Sequence, residues 1–291
     1  MTSHVSSLYI HSTMKVGNVE LSLLSDGTMR LDGGALYGAV PKIIWNSLSP
    51  ADRKNRVAVG LNCLLIQTGG KNILVDTGVG TKHSLRRKNM FAMRAGELVA
   101  ELRAQGLDVE DIDIVALTHL HFDHSGGCTR RGSGDRVVPT FPRATYLAQR
   151  KDWHEANHPS ERILDAYMPE DFLPLEENHQ LKLLDGSTEI APGIWLKVTG
   201  GHTSGHQMVY IESGDRRVAC LGDVLPTPHH LPLPYISAWD VRPLDTLECK
   251  SQLLGEAERE RWLLIFAHSV GPKAGYLVRK DGQLIVEPQE L

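Results

Sequence analysis

Residues 118–127 read Thr-His-Leu-His-Phe-Asp-His-Ser-Gly-Gly, which packs His119, His121, Asp123 and His124 into six positions. All four are metal-ligand types. Residues two apart on an extended chain face the same way, so His119 and His121 can grip one ion. Asp123 and His124 follow where the chain turns into Ser125-Gly126-Gly127 and can serve a second. Two adjacent divalent ions are an arrangement for hydrolysis more than for structure.

Three further residues complete such a centre: His202 in Gly200-Gly201-His202-Thr203-Ser204-Gly205-His206, Asp223 after Leu221-Gly222, and His268 after Phe266-Ala267. One ion then takes His119, His121 and His202, and the other Asp123, His124 and His268. Asp223 bridges them, because a carboxylate has two oxygens and can give one to each ion. Imidazole and carboxylate suit zinc, and also iron, manganese or cobalt. Five neutral histidines and two aspartates offset two divalent ions to +2, a charge that a bridging hydroxide lowers. His206 reads as a supporting or core histidine.

The elements that must position these groups are legible from pattern. Strands are predicted at 19–24, 62–67, 72–75, 112–117, 144–148, 194–198, 207–212, 217–221 and 263–267, with a final hairpin over 275–286. Helices are predicted over 94–105, 149–157 and 245–260. Four prolines make 226–234 a loop, and 31–58 reads as a long irregular segment that is unusually apolar. His119, His202, Asp223 and His268 each come just after a predicted strand, so strand ends on a rigid frame would gather them. Strands arrive as hairpins with helices between, which favours two mixed sheets over one parallel sheet. Neither a composition break nor a repeat divides residues 1–291, so one domain is expected.

The chain has 291 residues, 41% hydrophobic and 23% charged, with a net charge of −4. That balance is ordinary for a soluble globular protein. The basic runs Arg86-Arg87-Lys88 and Arg130-Arg131 are short, so nucleic acid is not an expected partner. No apolar run approaches the roughly 20 residues of a membrane helix, and Met1-Thr2-Ser3-His4 does not open a signal peptide. Cys63, Cys128, Cys220 and Cys249 are far apart, as in a reduced, cytoplasmic protein. Cys63 and Cys220 sit in apolar runs and are expected in the core.

Thr-His-x-His-x-Asp-His, Gly-His-Thr-x-Gly-His, Gly-Asp and a late His after an apolar strand together resemble the metallo-β-lactamase superfamily. Val75-Asp76-Thr77-Gly78 matches that superfamily's early Asp-Thr-Gly turn. The resemblance runs from about residue 17 to 275. It implies an α+β fold, a four-layer αββα sandwich of two mixed sheets flanked by helices, with a dinuclear site at one edge. Asp223 argues against true class B β-lactamases, and His121 stands where flavodiiron oxidoreductases carry Glu. Glyoxalase II-like thioesterases share the ligand set. The segments Asp32-Gly33-Gly34-Ala35-Leu36-Tyr37-Gly38 and Gly222-Asp223-Val224-Leu225-Pro226-Thr227 are similar to the quorum-quenching lactonase and methyl parathion hydrolase-like branch.

The resemblance implies a small-molecule substrate, a lactone (N-acyl homoserine lactones included) or a related ester. A metal-bridging hydroxide would attack the carbonyl, and Asp123 would relay the proton to the leaving group. The known acyl-homoserine lactonases place a Tyr three residues after the bridging aspartate; here that position is Pro226, and His230 is the candidate replacement donor. Leu36, Tyr37, Val40 and Trp239 are candidates to line an apolar substrate pocket. The apolar 31–45 segment predicts either a homodimer contact or a lid over its own pocket. Competing readings are a phosphotriesterase or thioesterase of the same fold, a non-catalytic metal-binding module, and an iron redox enzyme.

Overall fold

The computed structural model describes residues 13–291. Two large mixed sheets pack face to face. The first holds eight strands, the second seven. The first is built on a long antiparallel hairpin, Val19–Asp32 against Arg56–Thr68, followed by Lys71–Val75. Beyond it Ile114–Ala116, Thr145–Gln149 and Leu181–Leu184 add on in parallel. The second sheet runs from Thr188–Ala191 to Gln283–Pro288 in chain order, antiparallel except where Arg216–Cys220 meets Leu263–Ile265 in parallel. A lesser ribbon pairs Thr129–Arg131 with Val137–Pro139.

The layering follows from which face of each strand is apolar. Leu64, Ile66, Ile73 and Val75 of the first sheet meet Leu196, Val209, Ile211 and Val218 of the second in one buried cluster. The first sheet's other face, with Leu65, Leu74, Val115 and Tyr146, packs on the helices Leu98–Ala104, Arg150–Asn157 and Pro169–Glu177. The second sheet's outer face, with Tyr210, Ala219 and Leu264, packs under the helix Pro243–Glu260 through Leu253, Leu254 and Ala257. Helix, sheet, sheet and helix layers result, as expected for an α+β sandwich. Among the described residues no helix is long and apolar enough to cross a membrane.

Two expectations need correcting. The strand expected over 19–24 does not stop at Ser25-Asp26-Gly27. It passes through a bulge there and continues to Asp32. The bulge turns Asp26 inward, where its carboxylate accepts the backbone N–H groups of Gly80, Gly96 and Leu98. Residues 31–58 are not irregular. They form the helices Gly33–Tyr37, capped by the Asp32 carboxylate, and Lys42–Leu48, then the start of the next strand. Two helices this short carry too few turns for a periodic signal. Their apolar residues Leu36, Tyr37, Val40 and Trp45 pack on the far half of the long hairpin, while Ile43 is 88% exposed. The helix Pro169–Glu177 was not foreseen, because Pro174 interrupts its pattern.

Candidate metal centre

Four strands point their carboxyl ends at one edge of the sandwich. His119, Asp223 and His268 each stand on the third residue past a strand, and His202 on the fourth. Asp123 and His124 come from the single turn Phe122–Ser125 directly after His121. The structure therefore brings together all seven residues singled out by spacing. The ligand atoms of His119, His121 and His202 lie within 4.8 Å of one another, as do those of Asp123, His124 and His268. All six are buried.

Asp223 lies between the two groups. Its Oδ1 is 3.1 Å from His268 Nε2 and 3.3 Å from His124 Nε2, while its Oδ2 is 3.3 Å from His202 Nε2. Burial by itself raises this carboxyl; the charges of His268, His124 and His202 override it and hold Asp223 well below the ordinary carboxylate range. Its main chain is held by His206, whose Nε2 accepts the Asp223 N–H at 2.9 Å. His206 is thus a support, as expected. Gly222 must be glycine for this to work. It sits at φ +53°, and a Cβ there would come 2.6 Å from His206 Nε2.

Further partners orient the imidazoles. His124 Nδ1–H donates to Asp76 at 2.8 Å, His268 Nδ1–H to the Gly60 carbonyl at 2.8 Å, and His202 Nδ1–H to Asp240 at 2.9 Å. In the neutral ring each such bond leaves Nε2 as a bare lone pair, the form a metal needs, so an ion would take the place of the protons that Asp223, against burial, otherwise favours on these rings. His124 Nε2 and His268 Nε2 then face each other at 3.0 Å, two acceptors that a shared cation would reconcile. His119 Nε2, His121 Nε2 and Asp223 Oδ1 are buried without a hydrogen-bond partner. Burial, reinforced by neighbouring histidines, pushes His119 and His121 well below the usual imidazole range and keeps them neutral. Orphaned donors of this kind fit divalent ions.

Asp240 and Asp76 were missed as supports. Asp240 carried no signal, being a lone acid beside Trp239; Asp76 was visible only as part of its Asp-Thr-Gly turn. Asp240 also accepts the Thr246 hydroxyl at 2.6 Å, so it is locked in place. Asp240→Ala is expected to weaken metal binding about 10–100-fold by freeing the His202 ring. Competition with a chromophoric chelator measures this, and an unchanged affinity would mean that His202 needs no such support.

A cleft opens onto the centre. His121, Asp123, His202, Asp223 and His268 lie at its base, with Leu36, Phe91, Phe122, Ile163 and Trp239 as apolar wall. Leu36 and Trp239 are among its lining residues. Tyr37 and Val40 are not. Tyr37 is fully buried, stacked between Trp45 and His230 at centroid distances of 5.6 and 4.7 Å, and Val40 packs in the same cluster. Their place behind the wall corrects the expectation that they touch substrate. The donor role expected of His230 is also contradicted. Its Nε2–H donates to the Leu36 carbonyl at 3.1 Å and its Nδ1 pairs with the Thr227 hydroxyl at 2.8 Å. Both ring nitrogens are spent on holding the wall, and burial drops the imidazole to about 3. Phe122 was overlooked although it sits inside the ligand motif. Arg87 stacks on its ring at 4.3 Å and holds the Leu164–Ala166 turn through the Asp165 carbonyl.

Comparison with known proteins agrees with this frame. The profile of the Metallo-beta-lactamase superfamily matches residues 57–268. The chain belongs to that superfamily. Within the metallo-beta-lactamase superfamily it resembles the lactonase branch: an N-acyl homoserine lactonase of a Bacillus species is 31% identical over 163 residues, covering 52% of this chain and 58% of that one. The chain thus spans less than two thirds of the length of that curated relative. A probable metal-dependent hydrolase from Staphylococcus aureus superposes with a TM-score of 0.86 at 28% identity, over 96% of this chain and all of that one. A dizinc quorum-quenching lactonase in complex with a product superposes with a TM-score of 0.78 at 20% identity, over 97% and 98% of the two chains, a likeness of fold.

Proposed function

We propose that this metallo-hydrolase opens lactones or closely related esters at a dinuclear centre. The observation that carries the proposal is Asp223, whose two oxygens face different histidine groups at the base of a largely apolar cleft. His119, His121 and His202 would hold one ion, and Asp123, His124 and His268 the other. Zinc is the first candidate, with iron, manganese or cobalt also suited to these donors. When bound, two such ions supply Lewis-acid charge at the carbonyl and lower the pKa of a water toward neutrality. Asp123, in the cleft 3.6 Å from His268 Nε2, would take a proton and return it to the leaving alkoxide. Leu36, Phe122 and Trp239 would hold the apolar part of the substrate and exclude water.

Pro226 in the cleft wall cannot donate a hydrogen bond to a substrate carbonyl. That favours keeping phosphotriesters as a second reading, since their recognition needs no such donor here. The unpaired cysteines support a cytoplasmic enzyme, and the outward Ile43 and Ile44 support a homodimer contact on the Lys42–Leu48 helix.

The test is a pH-stat screen of lactones, thioesters and phosphotriesters with protein loaded with zinc, alongside protein stripped by chelator. Lactone turnover that vanishes on stripping and returns with zinc is the expected result. Fast phosphotriester cleavage with no lactone opening would favour the second reading. Bound metal without turnover of any class would leave a binding module.

A further inference from the structure

The helix Arg150–Asn157 enters the site from the same edge as the ligand loops, directly after the parallel strand Thr145–Gln149. Its Asp152 is 1% exposed and takes no part in the chemistry described above. One carboxylate oxygen accepts the Leu120 N–H at 2.7 Å, and the other accepts the Thr203 hydroxyl. Leu120 lies between His119 and His121. Thr203 follows His202. A single side chain is therefore bonded within one residue of every member of one histidine group.

The contact is close along its length. A Cβ on Gly205 would come 2.4 Å from the Asp152 nitrogen, so the loop carrying His202 lies against the helix backbone. One turn on, Glu155 accepts the Ser204 N–H at 3.1 Å and the Tyr167 hydroxyl at 3.0 Å. The Tyr167 ring packs against His121 with centroids 4.8 Å apart. The second group rests mainly on other residues, linked to the first through Thr118, whose hydroxyl donates to Asp76 and lies 3.1 Å from His119 Nδ1. His124 rests on Asp76 and His268 on the Gly60 carbonyl.

We propose that Asp152 is the positioning residue of the His119, His121 and His202 ion site alone, setting the distance between the two loops that form it. This rests on the dinuclear reading above. The two ion sites then lean on Asp152 and on Asp76 to different degrees, and the binding of one ion can be loosened more than that of the other. Groups that orient a ligating histidine in this way change metal affinity about 10–100-fold.

Titration of metal-free protein with Co²⁺, followed by its visible absorption bands, tests this. The wild type is expected to bind two equivalents. Asp152→Ala should keep one equivalent at wild-type affinity and lose at least about tenfold on the other. Asp152→Asn, which still offers an acceptor to Leu120, should recover most of that loss. Thr203→Val removes only the second bond and should shift the same equivalent by less; it carries the test if Asp152→Ala does not fold. Melting in the presence of chelator reads the fold separately from the sites. Equal weakening of both equivalents, or no weakening of either, would overturn the proposal while leaving the dinuclear reading intact. A wild type that takes up no Co²⁺ would overturn both.

Discussion

Under the proposed function, Asp223→Ala is expected to lower kcat/KM for lactone opening by about 10³-fold, the several kcal/mol of transition-state stabilisation that paired ions would contribute. The reason is electrostatic as much as geometric. Asp223 is the carboxylate within 3.3 Å of three histidines drawn from both groups. Without it, His124, His202 and His268 lose the charge that draws cations toward their midpoint, and the two groups no longer share a carboxylate. Asp223→Asn separates the two contributions. It keeps one oxygen and the shape of the side chain but removes the charge, so it should retain more metal than Asp223→Ala and still turn over slowly. Metal content by elemental analysis and kcat/KM on the same preparations check this. A variant with full metal content and near-normal turnover would remove Asp223 from the mechanism.

Lys82→Met is expected to destabilise the fold by about 3–5 kcal/mol, the cost of leaving one member of a buried ion pair alone. The Lys82 ammonium lies 2.9 Å from the Asp171 carboxylate, with both side chains 1% exposed. It also donates to the carbonyls of Gly126 and Thr129, which frame the end of the ligand turn. Burial pushes the Asp171 carboxyl up to about 6, with the Lys82 charge restraining it. Losing that charge raises it further. A carboxyl whose folded pKa exceeds its unfolded value binds more protons when folded, so stability falls as pH rises. The loss relative to wild type should therefore be larger at pH 8 than at pH 5.5. Urea denaturation at both pH values, with chelator present, measures it. A loss under 1 kcal/mol at pH 8 would mean that Asp171 finds another partner.

The residues that meet at the centre were readable because their chemistry is local. His119 to His124 fall within six positions, and His202, Asp223 and His268 each follow a short apolar strand. Strand cores such as 263–265 were readable for the same reason, since burial on both faces needs a continuous apolar run. What failed was whatever depended on distant contact. The extension of the first long strand past Asp26 rests on that side chain capping Gly80, Gly96 and Leu98, a bond that spacing does not reveal. Tyr37 and His230 read as pocket residues from their types. Their stacking on each other, across nearly 200 positions, turns both away from substrate. Asp152 and Asp240 gave no sign, because a lone acid on a helix or loop looks the same whether it faces water or a histidine.

The centre draws on strand ends from both sheets, and its last member, His268, lies close to the end of the second sheet. During synthesis the chain therefore emerges with His119 to His124 long before His268 exists to join them. A half-made protein offers only an open, low-affinity set of donors, and full grip arrives when the second sheet closes on the first. Tight metal capture is thereby reserved for chains that have finished folding, and supplying metal late should serve as well as supplying it throughout translation.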